Sequence, residues 1–215
     1  MPTLQTLTAF FGLCVLLALS PGPDNLFVLM QSAQRGWRAG LAVVAGLCIG
    51  ILGHTAAVAL GLAALVAASP AAFTALKLAG AAYLLYLAWG AWRAPTSAGT
   101  ATAAADAQAL PLRQALQMVG RGIVMNATNP KVLIFFLALL PQFADPRQGS
   151  MGTQIALLGS TFMLATLLVF GAIALFSGWF GSLLQGSPRA QRLLNRLTAL
   201  VFIGLALRLA TLQRT

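Results

Sequence analysis

The chain has 215 residues, of which 59% are hydrophobic and 7% are charged, and its mean hydropathy is +0.86. Soluble domains carry roughly 25% charged residues, so a soluble globule of this composition would expose large apolar patches. We therefore expect a protein that crosses the membrane several times. The formal charge of +10 comes with no zinc-finger spacing, aromatic RNA-binding pattern or extended basic stripe, which argues against nucleic acid as a partner.

Six apolar runs follow one another along the chain, and each is near the ~20 residues that a helix needs to cross a bilayer. Runs of this length exceed a buried strand, so the expected fold class is all-α, a polytopic membrane protein with six transmembrane helices. The first run lacks the basic start of a cleaved signal peptide, and we expect it to be retained. The predicted helices cover residues 4–33, 39–67, 71–92, 114–140, 152–180 and 193–212.

Arginines are unevenly divided between the segments that join these helices. The loops after helices 1, 3 and 5 carry seven, and the opposite side carries three. The positive-inside rule therefore predicts that the three odd-numbered loops are cytoplasmic and that both termini are outside. The seven are Arg35, Arg38, Arg93, Arg113, Arg189, Arg192 and Arg196, and the three are Arg147, Arg208 and Arg214.

A segment rich in Ala, Thr and Ser, residues 94–112, has no apolar period and is predicted to be a flexible linker. It divides a single transmembrane domain, residues 1–215, into two three-helix repeats, residues 1–93 and 113–215. Because each repeat has an odd number of helices, the second enters the membrane from the opposite face, which is the arrangement of an inverted repeat.

Two proline motifs, one in each repeat, are predicted to break helices 1 and 4. In the first, Pro21 and Pro23 have no N–H, so the carbonyls of Leu17 and Leu19 lose their helical partners. Gly22 between them permits the backbone angles of a sharp break.

The second motif matches the first when Pro130 is aligned with Pro23, which also aligns Lys131 with Asp24. Asn129 is a favoured N-cap residue, and proline suits the first helical position. Each restarted helix points unsatisfied N–H groups and a positive dipole end into the membrane, where a carboxylate binds well. Unwound backbone at this depth must be buried in protein or line a wet cavity, so the two breaks predict a central ligand site.

Charged and amide side chains beside the breaks are the candidate substrate-binding residues. Asp24 is the only acid within an apolar run, and a charge there costs on the order of 3 kcal/mol. It either balances the dipole of the restarted helix or binds a substrate ammonium group or a proton, and Lys131 either neutralises it or meets a carboxylate. The predicted binding set is Gly22, Asp24, Asn25, Asn126, Asn129 and Lys131, with Pro21, Pro23 and Pro130 as helix-breaking residues.

The remaining polar residues allow two interpretations each. His54, the only histidine, is with Asp24 a candidate for proton coupling because imidazole titrates near neutral pH, but it also suits a hydrogen-bonded packing role. Lys77 is either functional or extends to the membrane surface. Cys14 and Cys48 lack metal-ligand spacing, so neither a metal site nor a cofactor is predicted.

Taken in order, several segments resemble the LysE/RhtB family of bacterial amino-acid exporters. The resemblance covers almost the whole chain, and its ordered set of motifs is more specific than the Pro-Gly-Pro signature alone. The segments are SPGPDN at 20–25, GHTAAVALGLAALV at 53–66, LKLAGAAYLLYLAWGAWR at 76–93, NATNPKVLIFFLALLPQF at 126–143 and GLALRLA at 204–210.

The resemblance implies a secondary transporter, not an enzyme, in the bacterial inner membrane that exports an amino acid or derivative in exchange for protons. Its partners would be a small amino-acid substrate, protons and the lipid bilayer. Independently of the resemblance, the sequence leaves open a homodimer through faces of small residues, such as GLCIG at 46–50 and GAAY at 80–83. Two alternatives are a membrane thiol-redox protein that uses Cys14 and Cys48, and a scaffold without catalytic activity.

Overall fold

The computed structural model describes residues 2–20, 22–68, 70–93, 110–177 and 188–211, and the described residues form helices and the short segments that join them. Pro21 and most of the predicted linker, residues 94–109, lie outside the described residues. The helices are α1 (Leu4–Leu19), α2 (Pro23–Arg35), α3 (Trp37–Ala68), α4 (Pro70–Arg93), α5 (Leu112–Thr128), α6 (Pro130–Phe143), α7 (Met151–Leu175) and α8 (Pro188–Thr211).

Most predicted boundaries lie within a few residues of the observed ones, because long apolar runs between Pro, Gly and Arg leave little choice. Helix 1 corresponds to α1 and α2, and helix 4 corresponds to α5 and α6. Helix 5 was expected to reach residue 180, whereas α7 ends at Leu175 and residues 178–180 lie outside the described part.

Two helices are long and apolar enough to cross a membrane alone: α3 over Trp37–Gly61 and α7 over Met151–Leu175, each with a mean hydropathy of 2.1. The pairs α1–α2 and α5–α6 reach that standard only when each is taken as one span, and they are bent by 64° and 53°. Length and composition thus support up to four spans among the described residues. The six-span fold stays a prediction, which needs α4 and α8, of 24 residues each, to cross as well.

The long helices α3 and α7 form the centre of the protein. Helix α3 packs on α2, α5 and α7, while α7 also packs on α1 and α2, and α4 and α8 pack on each other. Buried apolar side chains form two clusters. One surrounds Phe10, Phe135 and Phe162, and the other surrounds Val28 and Met118. The broken ends of α1, α2, α5 and α6 lie between these clusters.

Helices α3 and α5 approach each other closely through glycine. A Cβ atom at Gly46 would overlap the carbonyl oxygen of Val119, and one at Gly122 would overlap the carbonyl oxygen of Val43. The two backbones are therefore in contact, which fixes α5 and the polar residues at its end against α3. The small residues at 46–50 thus pack on α5 of the same chain, and the homodimer stays a prediction.

Candidate functional site

The break between α1 and α2 lies at Ser20–Gly22. Gly22 is the N-cap of α2, and its φ of −167° and ψ of 174° are extended angles that any residue adopts. The break therefore does not require the conformational freedom of glycine that the sequence led us to expect at Gly22. Space is the better reason, because a Cβ atom at Gly22 would lie 3.2 Å from Nζ of Lys131.

The carbonyl groups at the end of α1 are satisfied by side chains from elsewhere. The ammonium group of Lys131 donates to the carbonyl oxygens of Leu17, at 3.2 Å, and Ser20, at 3.3 Å. Nδ2 of Asn25 donates to the carbonyl oxygen of Ala18 at 2.7 Å. Lysine near a helix C-terminus is favourable because the dipole is negative there.

The second break lies between α5 and α6 at Asn129. This residue is the N-cap of α6: its Oδ1 accepts from the backbone N–H of Lys131 at 3.0 Å, and Pro130 occupies the first turn. The backbone N–H of Asn129 in turn donates to the carbonyl oxygen of Asn126 at 3.1 Å. Asn129 thus ends one helix and begins the next.

The two breaks are in direct contact. Nδ2 of Asn129 donates to Oδ2 of Asp24 at 2.7 Å, which joins residues 105 positions apart in the chain. Asp24 is only 4% exposed, and its Oδ1 has no hydrogen-bond partner among the residues that the structure describes. Asp24 and Lys131, both described by the structure, form no direct ion pair. The ammonium group of Lys131 instead donates to carbonyl oxygens at the end of α1.

A cavity of about 20 Å³ lies beside the joined breaks, and its polar lining includes Asp24, Asn126, Lys131 and Thr166. Oδ1 of Asn126 is buried without a partner, as Oδ1 of Asp24 is. The cavity thus presents two unpartnered acceptors beside a cation. It has room for about one water molecule but not for an amino acid, so binding of an amino acid would require the cavity to widen.

Comparison with known proteins assigns the chain to a family. The family described as LysE type translocator matches residues 15–213. The chain belongs to this family. Its similarity to individual members extends over the same length of sequence.

Three relatives illustrate the range of this translocator family. A homoserine/homoserine lactone efflux protein of Salmonella typhimurium is 33% identical over 196 residues, which cover 91% of each chain. A leucine efflux protein of the same species is 30% identical over 93% of this chain and 92% of the relative. An uncharacterised membrane protein of Vibrio cholerae is 35% identical over 94% and 95%. No solved structure matches the translocator.

The other candidate residues of the translocator lie apart from Asp24. His54 is partly buried, and its Nε2 lies 3.3 Å from the carbonyl oxygen of Asn126. It therefore contacts the backbone at the second break. Lys77 belongs to α4, but its side chain lies outside the described part of the structure. Cys14 and Cys48 are free and buried in different apolar clusters.

Sequence reasoning did not identify two polar residues of α7. Thr166 lines the cavity, but an isolated threonine in an apolar run gives no signal that separates it from packing residues. Gln154 is fully buried at the start of α7. Its Oε1 accepts from the N–H of Asp145 at 3.0 Å, and its Nε2 donates to the carbonyl oxygens of Asp145 and Gly149 at 2.8 and 3.2 Å. Gln154 therefore fixes the loop between α6 and α7.

Proposed function

We propose that this translocator is a secondary transporter that exports an amino acid or a derivative across the bacterial inner membrane in exchange for protons. The observation that carries the proposal is the pair of joined helix breaks, with two unpartnered acceptors and a lysine beside one cavity. Membership of a translocator family, and relatives named for homoserine and leucine efflux, support the substrate class.

The site offers complementary groups for both ends of a zwitterion. Oδ1 of Asp24 and Oδ1 of Asn126 would accept hydrogen bonds from a substrate ammonium group. The substrate carboxylate would bind the ammonium group of Lys131. Two of its three N–H donors bind carbonyl oxygens at the end of α1, and the third is left for the substrate. The N-terminal ends of α2 and α6 add favourable dipoles for this anion.

We further propose that six spans form two inverted repeats that rock around this site. The helix contacts support the repeat: α5 packs on α3, and the equivalent helix of the other half, α1, packs on α7. Because apolar clusters close the site on both sides, opening it to either face of the membrane requires one cluster to separate.

Asp24 is the proposed coupling residue, because a proton and a substrate ammonium group would compete for its unpartnered oxygen. One charge that moves down 100 mV releases about 2.3 kcal/mol, which supports a gradient of roughly 50-fold. His54 is a second candidate, since it contacts the carbonyl of Asn126 and would transmit its protonation state to the second break.

The first test replaces the Asp24 carboxylate with an amide of the same shape. In inside-out vesicles that contain the Asp24→Asn variant, we expect no proton-driven uptake of labelled homoserine or leucine, while the amount of protein in the membrane is unchanged. Asp145→Asn is the matched control because Asp145 lies in the loop between α6 and α7. Uptake by Asp24→Asn at the wild-type rate under an imposed pH gradient would contradict the role of Asp24.

The proposal as a whole has a separate test. Wild-type vesicles should accumulate at least one amino acid when the lumen is acidified, and a protonophore should abolish this accumulation. If the wild-type protein moves no amino acid or derivative in this assay, the transport function itself is wrong.

A further inference from the structure

Helix α5 is polar along one side of its first half, from Arg113 to Arg121. Its opposite side packs on α3 through buried residues that include Met118, Gly122 and Asn126. A spanning helix cannot expose a continuous polar side to hydrocarbon without a large cost, so this side requires water or protein. The polar side chains are Arg113, Gln114, Gln117 and Arg121, and all four are exposed.

An open groove of about 740 Å³ runs along this polar side between α5 and α2. Phe27, one turn after Asp24, forms the α2 wall. Arg121 precedes Asn126 by five residues, or about 7.5 Å along the helix axis. The groove and the cavity share no lining residue, but α2 and α5 contribute residues to both. Its lining residues are Phe27, Gln117, Gly120, Arg121, Val124 and Met125.

The guanidinium group of Arg121 lies on this wall without a carboxylate within 4.0 Å among the described residues. It follows the start of α5 by nine residues, or about 13 Å of helix. If α5 begins at the membrane surface, an arginine at this position without a carboxylate partner among the described residues needs water or an anion beside it. The groove is larger than the cavity beside the joined breaks and is open along one side.

We propose that the groove between α2 and α5 is a water-filled vestibule on the cytoplasmic side, in which Arg121 binds the carboxylate of the amino-acid substrate before it reaches the central site. The choice of an amino acid as the occupant rests on the proposed function. It is supported by the charge of Arg121 and by the fact that α2 and α5, which form the groove, also carry Asp24 and Asn126. The seven arginines of the odd-numbered loops, which include Arg35 at the end of α2 and Arg113 at the start of α5, give the cytoplasmic assignment.

The first experiment tests the water, independently of transport. In a background without Cys14 and Cys48, single cysteines replace Gln117 in the groove and its neighbour Leu116, which is 62% exposed but lies off the polar side. In inside-out vesicles, a membrane-impermeant maleimide should label Gln117→Cys at least ~10-fold faster than Leu116→Cys, because the thiolate forms only in water. Equal or absent labelling at position 117, or labelling only in right-side-out vesicles, would overturn the vestibule.

The second experiment tests Arg121. Arg121→Gln should raise the KM for homoserine or leucine uptake into inside-out vesicles about tenfold while the maximal rate stays within about twofold, and Arg121→Lys should recover most of the loss. Arg113→Gln, at the outer end of the same polar side, is the matched control and should leave the KM near its wild-type value.

Two outcomes would overturn the role of Arg121. The first is an unchanged KM in Arg121→Gln. The second combines two results: the KM changes with the anionic lipid content of the vesicles, and added substrate does not slow the labelling of Gln117→Cys. Together they would indicate that a lipid headgroup occupies the groove. If the wild-type protein transports neither amino acid, the proposed function fails, whereas the labelling result still decides whether the groove holds water.

Discussion

Asn129 connects the two breaks through both ends of its amide. Its oxygen accepts from the backbone of Lys131 and so begins α6, while its nitrogen donates to the carboxylate of Asp24 on α2. Hydrogen bonds to a charged group contribute roughly 1.5–3 kcal/mol, and both partners here are almost completely buried. Asn129 therefore has a structural role as an N-cap and a second role in orienting Asp24.

Exchanging the two side chains tests this contact. Asn129→Asp keeps an N-cap acceptor but places a second carboxylate beside Asp24. We therefore expect the free energy of unfolding to fall by about 2 kcal/mol and the melting temperature in detergent to fall by several degrees. The double variant Asp24→Asn/Asn129→Asp restores one amide donor and one carboxylate acceptor and should recover most of this loss. A double variant as unstable as Asn129→Asp would show that the contact contributes nothing.

The sequence identified the polar residues near the breaks but not their partners. Local rules for Pro and Asn are enough to nominate Asp24, Asn129 and Lys131, because each acts within one turn of its own helix. The bond between Asp24 and Asn129, and the reach of Lys131 to the end of α1, depend on how two segments more than 100 residues apart meet. Nothing in a local motif encodes that approach.

Helix α3 positions the second break through one small residue. Asn126 lies against Gly50, where an added Cβ atom would be 2.6 Å from Oδ1 and 2.7 Å from Cβ of Asn126. The absence of a side chain at Gly50 thus lets the amide group of Asn126 pack directly against α3 while Asn126 lines the cavity. Gly50 therefore sets the geometry of a candidate binding residue without contacting the cavity itself.

A single methyl group tests this packing. Gly50→Ala should destabilise the protein by about 1–3 kcal/mol, because a well-packed contact must shift to accept it, and it should also slow transport. Gly53→Ala, one turn further along α3, has nothing within 4 Å of its added methyl group and should leave the melting temperature unchanged or slightly raised. Equal melting temperatures for the two variants would contradict the proposed fit.

At the scale of helices, length and apolar composition predict where most helices begin and end. The exceptions are segments whose backbone is not regular α-helix. The run that ends before Pro141 was expected to be a regular helix to residue 140. Instead, α6 changes to a π-helix over Phe135–Leu139 and a 3-10 helix over Leu140–Phe143. Pro141 explains part of this change because it removes a backbone N–H, but the π geometry also depends on packing of Phe135 and Phe136 against Phe162, which the sequence does not specify.

For the whole molecule, two pairs of arginine and tryptophan lie near the end of α4 and the start of α8. The guanidinium carbon of Arg93 lies 4.0 Å from the ring centroid of Trp89, and that of Arg196 lies 5.6 Å from that of Trp92. Both residue types favour the boundary between lipid and water, and both arginines belong to loops predicted to be cytoplasmic. We therefore retain the prediction that the termini are on the outer side.

Single cysteines on opposite sides test this orientation. Cys14 and Cys48 are buried, so they should contribute little background labelling. Gln34→Cys, near the end of α2, should react with an impermeant maleimide only in inside-out vesicles. Ser150→Cys, just before α7, should react only in intact cells or right-side-out vesicles. The reverse pattern would invert the topology and move the proposed vestibule to the outer face.

The ammonium group of Lys131 holds the end of α1 in place, because two of its three N–H donors form hydrogen bonds to the carbonyl oxygens of Leu17 and Ser20. A substrate carboxylate bound at the third donor, as proposed above, would compete with these two carbonyl oxygens for the same ammonium charge and so weaken both hydrogen bonds. In the proposed cycle, Lys131 would therefore hold the end of α1 in place when the substrate is absent and release it when the substrate binds.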